Sequence, residues 1–241
     1  MLFTIYIIIL TYFILGGIGF YFINKKKTKS VAHNNRIKFI TYFIIIHVLF
    51  LSIIFNPFYF RVIAIAIIAG GAFELIQSFR QSGFKSKSFF VFVILIFSLI
   101  CLGFYLFSGL NSELLLFTFL IVSIFDSFSQ ISGQLWGRTK VAPQISPNKT
   151  FEGVAGGAAV ALIGSILLRD LFNPPWWSAL LLSSGILFFA FIGDLAASYF
   201  KRVYNKKDFS NLIPGHGGIL DRFDSLILGG AWVAVMEIIW V

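Results

Sequence analysis

The passage Gly193-Asp194-Leu-Ala-Ala-Ser198-Tyr-Phe-Lys201-Arg202, a polar connection through Lys206, Lys207, Asp208 and Ser210, and then Pro214-Gly215-His216-Gly217-Gly218-Ile-Leu-Asp221-Arg222-Phe-Asp224 gathers acids and bases of both signs. Apolar runs border it on either side, 177–192 before and 225–236 after. A charge set against hydrocarbon is costly and needs a partner, a polar cavity or a function. The passage therefore reads as the polar centre of a membrane bundle, with one helix arriving at it and another leaving it.

Composition agrees with this outward from the centre. The chain has 241 residues, 58% hydrophobic and 12% charged, and a mean hydropathy of +0.90, too little polar surface for a soluble globule of this length. A span takes about 20 mainly apolar residues. Eight segments qualify, at about 2–23, 39–57, 58–76, 89–109, 114–136, 153–172, 177–199 and 219–240, with the second and third meeting at Asn56-Pro57. The expected fold class is thus an all-α polytopic membrane protein of one domain over 1–241, in which 1–110 supplies N-terminal helices and 111–241 the chemistry.

Orientation comes from the cations. Lys25, Lys26, Lys27, Lys29, Arg36 and Lys38 lie between the first two spans, Arg80, Lys85 and Lys87 between the third and fourth, and Arg138, Lys140 and Lys149 between the fifth and sixth. Lys201, Arg202, Lys206, Lys207 and Arg222 follow the seventh, while the other connections hold Arg61 and Arg169. The positive-inside rule puts the basic loops in the cytoplasm and both termini outside. The net charge of +9 is accounted for by this alternation, so no nucleic-acid partner is expected.

Several features have ordinary structural readings. Cys101 is the one cysteine, which excludes a disulfide framework. Trp176, Trp177 and Trp240 fall at the expected outer interface and Trp136 at the inner one. Gly153, Gly157 and Ala161 form a small-residue stripe for close helix packing. His33 and His47 stand without polar company and are read as structural, and Glu74 in the third span is assigned no role.

The central passage resembles the signature of the phosphatidate cytidylyltransferases, the CDP-diacylglycerol synthases: Ser-x-apolar-Lys-Arg, four residues, Lys-Asp, then His-Gly-Gly-apolar-x-Asp-Arg-apolar-Asp. The matching residues are Ser198, Lys201, Arg202, Lys207, Asp208, Ser210, Pro214, His216, Gly217, Gly218, Asp221, Arg222 and Asp224. The resemblance covers about 126–225. It includes Ser146-Pro-Asn-Lys149-Thr150-Phe-Glu152-Gly153, similar to the family's Ser-Pro-x-Lys-Thr-x-Glu-Gly. It departs after Asp126, where Ser127, Gln130 and Gln134 stand in place of the family's threonine, tyrosine and arginine.

The residues themselves carry a consistent chemistry. Asp221 and Asp224 are three apart and share a helical face, so they repel unless a divalent cation or an arginine, Arg222 or Arg202, lies between them. Asp194, two turns before Lys201, tips the balance toward metal, and magnesium suits carboxylates, water and phosphates. His216, Gly217 and Gly218 open the last helix, where backbone N–H groups can meet an anion. Lys201, Arg202 and Lys207 stand where a triphosphate would be held, although a basic juxtamembrane cluster also attracts lipid headgroups. Thr150 is a candidate N-cap for the sixth span. Lys149 suits either nucleotide or lipid phosphate.

The resemblance implies transfer of CMP from CTP to phosphatidic acid, giving CDP-diacylglycerol and pyrophosphate in a bacterial inner membrane. Asp194, Asp221 and Asp224 would hold Mg2+, with K+ as a candidate second cation. Lys201, Arg202 and His216 would serve the reaction, and Ser146, Lys149, Thr150, Asp126, Ser198, Lys207, Asp208, Gly217, Gly218 and Arg222 would bind substrate. A homodimer is left open. The rival readings are a CTP-dependent transferase or kinase for another membrane lipid, and a non-catalytic transporter or scaffold, since charged and glycine-broken helices also mark transport pathways.

Overall fold

The structure, a computed structural model, describes residues 2–25 and 28–240, which leaves Lys26 and Lys27 of the first basic loop outside the described residues. Among the described residues the chain forms eight α-helices and one small hairpin: α1 Leu2–Lys25, α2 Lys29–Phe55, α3 Pro57–Gln81, α4 Lys87–Phe107, α5 Ser112–Trp136, β1 Lys140–Ala142, β2 Ser146–Thr150, α6 Phe151–Leu168, α7 Trp176–Val203 and α8 Leu220–Trp240. A 3₁₀ turn, Arg169–Leu171, closes α6. Six of the helices are long and apolar enough to cross a membrane: α2 from Ala32, α3, α4, α5, α6 with its 3₁₀ turn, and α7. In α1 the apolar stretch is the shorter Leu2–Ile18. Helix α8 begins with Asp221, Arg222 and Asp224 and carries Glu237 near its end, and these charges dilute its hydropathy.

Local chemistry explains the element boundaries. Asn56 leaves the helical region at φ −168°, and its side chain accepts from Phe58 N, with Pro57 opening α3, so the break between α2 and α3 falls where Asn-Pro places it. Asn111 caps α5 through Leu114 N, and Thr150 Oγ1 accepts from Gly153 N at 3.2 Å to cap α6. Several boundaries differ from the sequence reading: α3 runs on to Gln81 and α7 to Val203, so Arg80, Lys201 and Arg202 lie on helices rather than in loops. Helix α2 starts ten residues earlier than the predicted span, so Arg36 and Lys38 ride on a helix rather than in a loop. Residues 140–150, read as a loop, form an antiparallel hairpin in which Lys140 pairs with Thr150 and Ala142 with Ser146. Glu152 closes its base by accepting from Arg138 N and Thr139 N at 3.0 and 3.1 Å. Those bonds come from residues more than a turn away, which a periodicity search does not register.

Helix α5 is the axis of the packing. Residues from Leu114 to Val122 are all buried, and a helix that is apolar all round belongs in the interior. It packs mainly on α6, and also on α7, α8 and α2, while α7 packs on α8 and α8 on α4. The small-residue stripe makes the α5–α6 contact: a Cβ on Gly157 would strike Ser129 Oγ and the Phe125 carbonyl of α5. Helix α4 has buried residues only at Cys101, Phe104 and Phe107, and large side chains such as Leu95 and Leu99 are exposed, as suits a face turned to lipid. Trp136, Trp176 and Trp177 are exposed at helix ends.

Candidate active site

The polar centre lies at one end of the bundle, where α3 and α7 finish, α6 and α8 begin, and the hairpin and the 204–219 connection cover the gap. Its geometry depends on a close crossing. A Cβ on Gly193 would stand 2.6 Å from the Asp224 carbonyl oxygen, so only glycine lets α7 and α8 touch there. That contact brings the neighbouring Asp194 beside Asp224.

Two sets of carboxylates result. Asp221 is saturated: Lys201 Nζ lies 2.6 Å from its Oδ1, and Oδ2 accepts from Phe209 N and Gly218 N, each at 2.8 Å. Its side chain is 3% exposed and that of Lys201 11%, so this is a buried, hydrogen-bonded ion pair. The cation facing Asp221 is therefore Lys201 rather than Arg222 or Arg202. Arg222 Nε donates to the His216 carbonyl, and Arg202 donates to the carbonyls of Ile145 and Lys206, clasping the hairpin to the end of α7.

The second set is unsaturated. Asp126 from α5, Asp194 from α7 and Asp224 from α8 lie within electrostatic range of one another. Lys149 of the hairpin pairs with Asp194 at 2.5 Å and stands over the Phe191 ring. Ser198 Oγ donates weakly to Asp194 at 3.4 Å, and Asp224 accepts from Ser225 N at 2.7 Å. Asp126 is exposed while Asp194 and Asp224 are half-buried. A mid-helix aspartate bonded to Ser225 and within range of Lys149, Arg222 and the carboxylates on two other helices has polar company in the bundle, which a charge at that depth needs.

Among the described residues no three His, Cys, Asp or Glu side chains stand close enough together to hold a metal ion. In donor type alone, carboxylates are what a hard divalent cation takes. Asp126, Asp194 and Asp224 offer carboxylate oxygens with one lysine between them, and such a cluster calls for further positive charge. Asp221 fits less well, because Lys201 and two amides already occupy its oxygens.

The loop joining α7 to α8 has its own logic. Gly217 adopts φ +84°, a region that suits glycine, and a Cβ there would stand 2.8 Å from Asp221 Oδ2. Ile213 and Gly217 form an isolated bridge that closes the turn. His216 stacks on Tyr42 of α2 with centroids 6.4 Å apart, and its Nδ1 is buried without a hydrogen-bond partner. Burial and the Arg222 charge hold its pKa below the ordinary 6.5, so the ring is neutral at pH 7. Lys207 and Asp208 line a polar cavity of about 430 Å³ together with Gln77, Gln81, Lys206 and Ser210.

Two residues that the sequence reading left aside belong to this end of the bundle. Lys206 Nζ donates to Ser78 Oγ at 3.0 Å and Gln81 Oε1 at 2.6 Å, tying the loop to α3, and burial lowers its pKa. Glu74 is fully buried and accepts from Ser210 Oγ, Ile219 N and Leu220 N. Its signal in the sequence is a single carboxylate in an otherwise apolar span, the pattern that marks a committed partner.

Comparison with known proteins covers the same half of the chain. A phosphatidate cytidylyltransferase of Staphylococcus saprophyticus is 44% identical over 115 residues, 47% of this chain and 44% of that protein. One from Staphylococcus haemolyticus is 42% identical over 131 residues, 52% of this chain and 50% of its own length. One from Brucella abortus is 41% identical over 118 residues, 48% and 44% of the two chains. The alignments thus span about half the length of these curated relatives. The family match runs over residues 110–239, from the start of α5 to the end of α8, and so takes in Asp126, Lys149, Asp194, Lys201, Asp221 and Asp224. With more than half its length so matched, the chain belongs to the cytidylyltransferase family.

Proposed function

We propose that the chain transfers CMP from CTP to phosphatidic acid. The observation that carries this is the convergence of Asp126, Asp194 and Asp224 from α5, α7 and α8 beside two lysines, Lys149 and Lys201, each aligned by a carboxylate. A phosphate oxygen of the lipid attacks the α-phosphorus of CTP; the bond to the β-phosphate breaks, and pyrophosphate leaves. The lipid phosphate is already ionised at neutral pH, so positioning and charge neutralisation do the work rather than a general base.

Mg2+ held by Asp194 and Asp224, with Asp126 adjoining, would supply charge neutralisation to the phosphates. The protein's own part is orientation. Lys149 and Lys201 each keep further N–H donors for phosphate oxygens beyond the one given to aspartate. His216, neutral and set beside the loop glycines, serves as a phosphate ligand. Lys207 and Asp208 line the cavity that would face the nucleotide. Ser146, Thr150 and Ser198 shape the walls, with Thr150 doing so through its cap.

The reading extends to the membrane. We place eight spans, counting α1 and α8, with both termini outside, the polar centre in the cytoplasm and the protein in the bacterial inner membrane as one domain. The cation bias of alternate connections supports this.

Incubating purified protein with labelled CTP, magnesium and phosphatidic acid tests the activity. Pyrophosphate and CDP-diacylglycerol are expected; release of CDP with a phosphorylated lipid would assign a kinase instead, and no turnover would leave the transporter or scaffold reading. For topology, single cysteines in a Cys101→Ser background should be labelled at position 210 from the cytoplasmic side only.

A further inference from the structure

We infer that Glu74 is a positioning residue for the nucleotide site: from α3, outside the matched half of the chain, it fixes the junction between the His216 loop and α8. The inference rests on the proposed CTP reaction for its kinetic consequence, though not for its structural one.

Glu74 is 0% exposed, and a carboxylate in such a place must be met by donors or a charge. All the donors that meet it come from the site loop: Ser210 Oγ at 2.5 Å, Ile219 N at 2.8 Å and Leu220 N at 2.9 Å. Ile219 and Leu220 carry N–H groups at the start of α8, which have no partner inside the helix, and the negative charge also suits the positive end of the helix dipole. Lys206, fastened to Ser78 and Gln81 farther along α3, lies within electrostatic range and adds a cation. Gly218 is required in this arrangement, because a Cβ there would run into the Glu74 carboxylate.

The same loop is gripped from its other side by Asp221, through Gly218 N and Phe209 N. Residues 209–220 are thus clamped between two carboxylates, and Asp221 passes the constraint on to Lys201. Release of Glu74 frees one jaw of the clamp, and Lys201 and the loop glycines lose their register. Glu74 touches no substrate in this scheme; it acts through the loop. Its bonds go to the loop rather than to neighbouring transmembrane side chains, which separates this role from general support of the bundle.

The experiment compares Glu74→Ala, Glu74→Gln and Ser210→Ala with wild type in detergent, by steady-state kinetics with CTP, magnesium and phosphatidic acid and by amide hydrogen exchange without substrate. Removing an acceptor from buried donors should raise KM for CTP about tenfold or more in Glu74→Ala, with KM for phosphatidic acid unchanged. Exchange should quicken across 209–220 and stay unchanged in α5 and α6. Glu74→Gln, which keeps one acceptor oxygen, should fall between wild type and Ala, and Ser210→Ala should show the smallest change. A lowered melting temperature with unchanged KM for CTP and unchanged loop exchange in folded protein would overturn the inference. Where Glu74→Ala does not fold, the Gln and Ser210 variants decide by the same criteria. A wild-type protein that does not consume CTP sinks the proposed reaction, and the substrate-free exchange at 219 and 220 still decides the hold of Glu74 on the loop.

Discussion

Asp221 and Asp224 stand three residues apart at the start of α8, and they live in opposite surroundings. Asp221 has a lysine on one oxygen and two backbone amides on the other. Asp224 has a bond from the amide of the next residue and otherwise faces the carboxylates of Asp194 and Asp126. Two residues of the same type on one helical face therefore do different things. The first is spent on holding the loop and Lys201, and the second is left with unmet charge, the condition for taking up a cation. The difference arises because Asp221 is bonded to the covering loop while Asp224 lies within range of Asp194 and Asp126, beside the α7–α8 crossing that Gly193 permits.

The largest expected effect is on the unsaturated side. Asp224→Asn or Asp194→Asn should lower CTP turnover about a hundredfold or more and move residual activity to higher magnesium. For Asp224→Asn the melting temperature should hold or rise, since like-charge repulsion is relieved, whereas Asp194→Asn also takes the partner from Lys149 and should lower it. Turnover per folded molecule and a magnesium titration on one preparation check this, and wild-type values for both would end the assignment.

On the saturated side the primary effect is on stability. Asp221→Asn leaves Lys201 charged and buried without its counter-ion, an imbalance of about 3–5 kcal/mol. Replacing both members, Asp221→Leu with Lys201→Met, should recover much of the stability but none of the activity. Denaturation in mild detergent reads the first quantity. An Asp221→Asn protein that matches wild type in stability but has lost its magnesium response would erase the contrast and return Asp221 to the metal.

A smaller effect follows from His216. Its pKa is lowered in the folded state by burial and by Arg222, so as pH falls below the ordinary 6.5 the unfolded chain takes up a proton that the folded one refuses. Folding stability therefore declines with acidification below 6.5, levels off below the folded pKa, and is untouched by this group at higher pH. Melting curves across that range should show the acid-side slope in wild type and a shallower one in His216→Gln. An identical slope in the variant would mean that His216 is not the group responsible.

The smallest expected change is at Arg202. Its bonds to the Ile145 and Lys206 carbonyls lie at an exposed position, so Arg202→Lys should reduce stability by no more than about 1 kcal/mol. It should loosen the hairpin, measurable as faster exchange around Ile145. A collapse of activity with an intact hairpin would instead mean that the guanidinium itself meets substrate.

The sequence by itself determined what depends on near neighbours and on bulk transfer to hydrocarbon. Helical character follows from long apolar runs, the α2–α3 break from Asn56-Pro57, the start of α6 from Thr150, and the likeness to the cytidylyltransferases from the spacing of Lys201, Arg202, His216, Asp221 and Asp224. Each is settled within a short stretch of chain. Tertiary structure alone decided the partners of charges: Lys201 rather than an arginine on Asp221, Lys149 on Asp194, Asp126 within range of Asp194 and Asp224, and Glu74 at the head of α8. Such pairings depend on which helices cross and how closely, and the crossings are set by packing contacts such as Gly193 on Asp224 and Gly157 on Ser129. A carboxylate in a sequence shows that a partner is needed; only the folded bundle shows which one has been brought within reach.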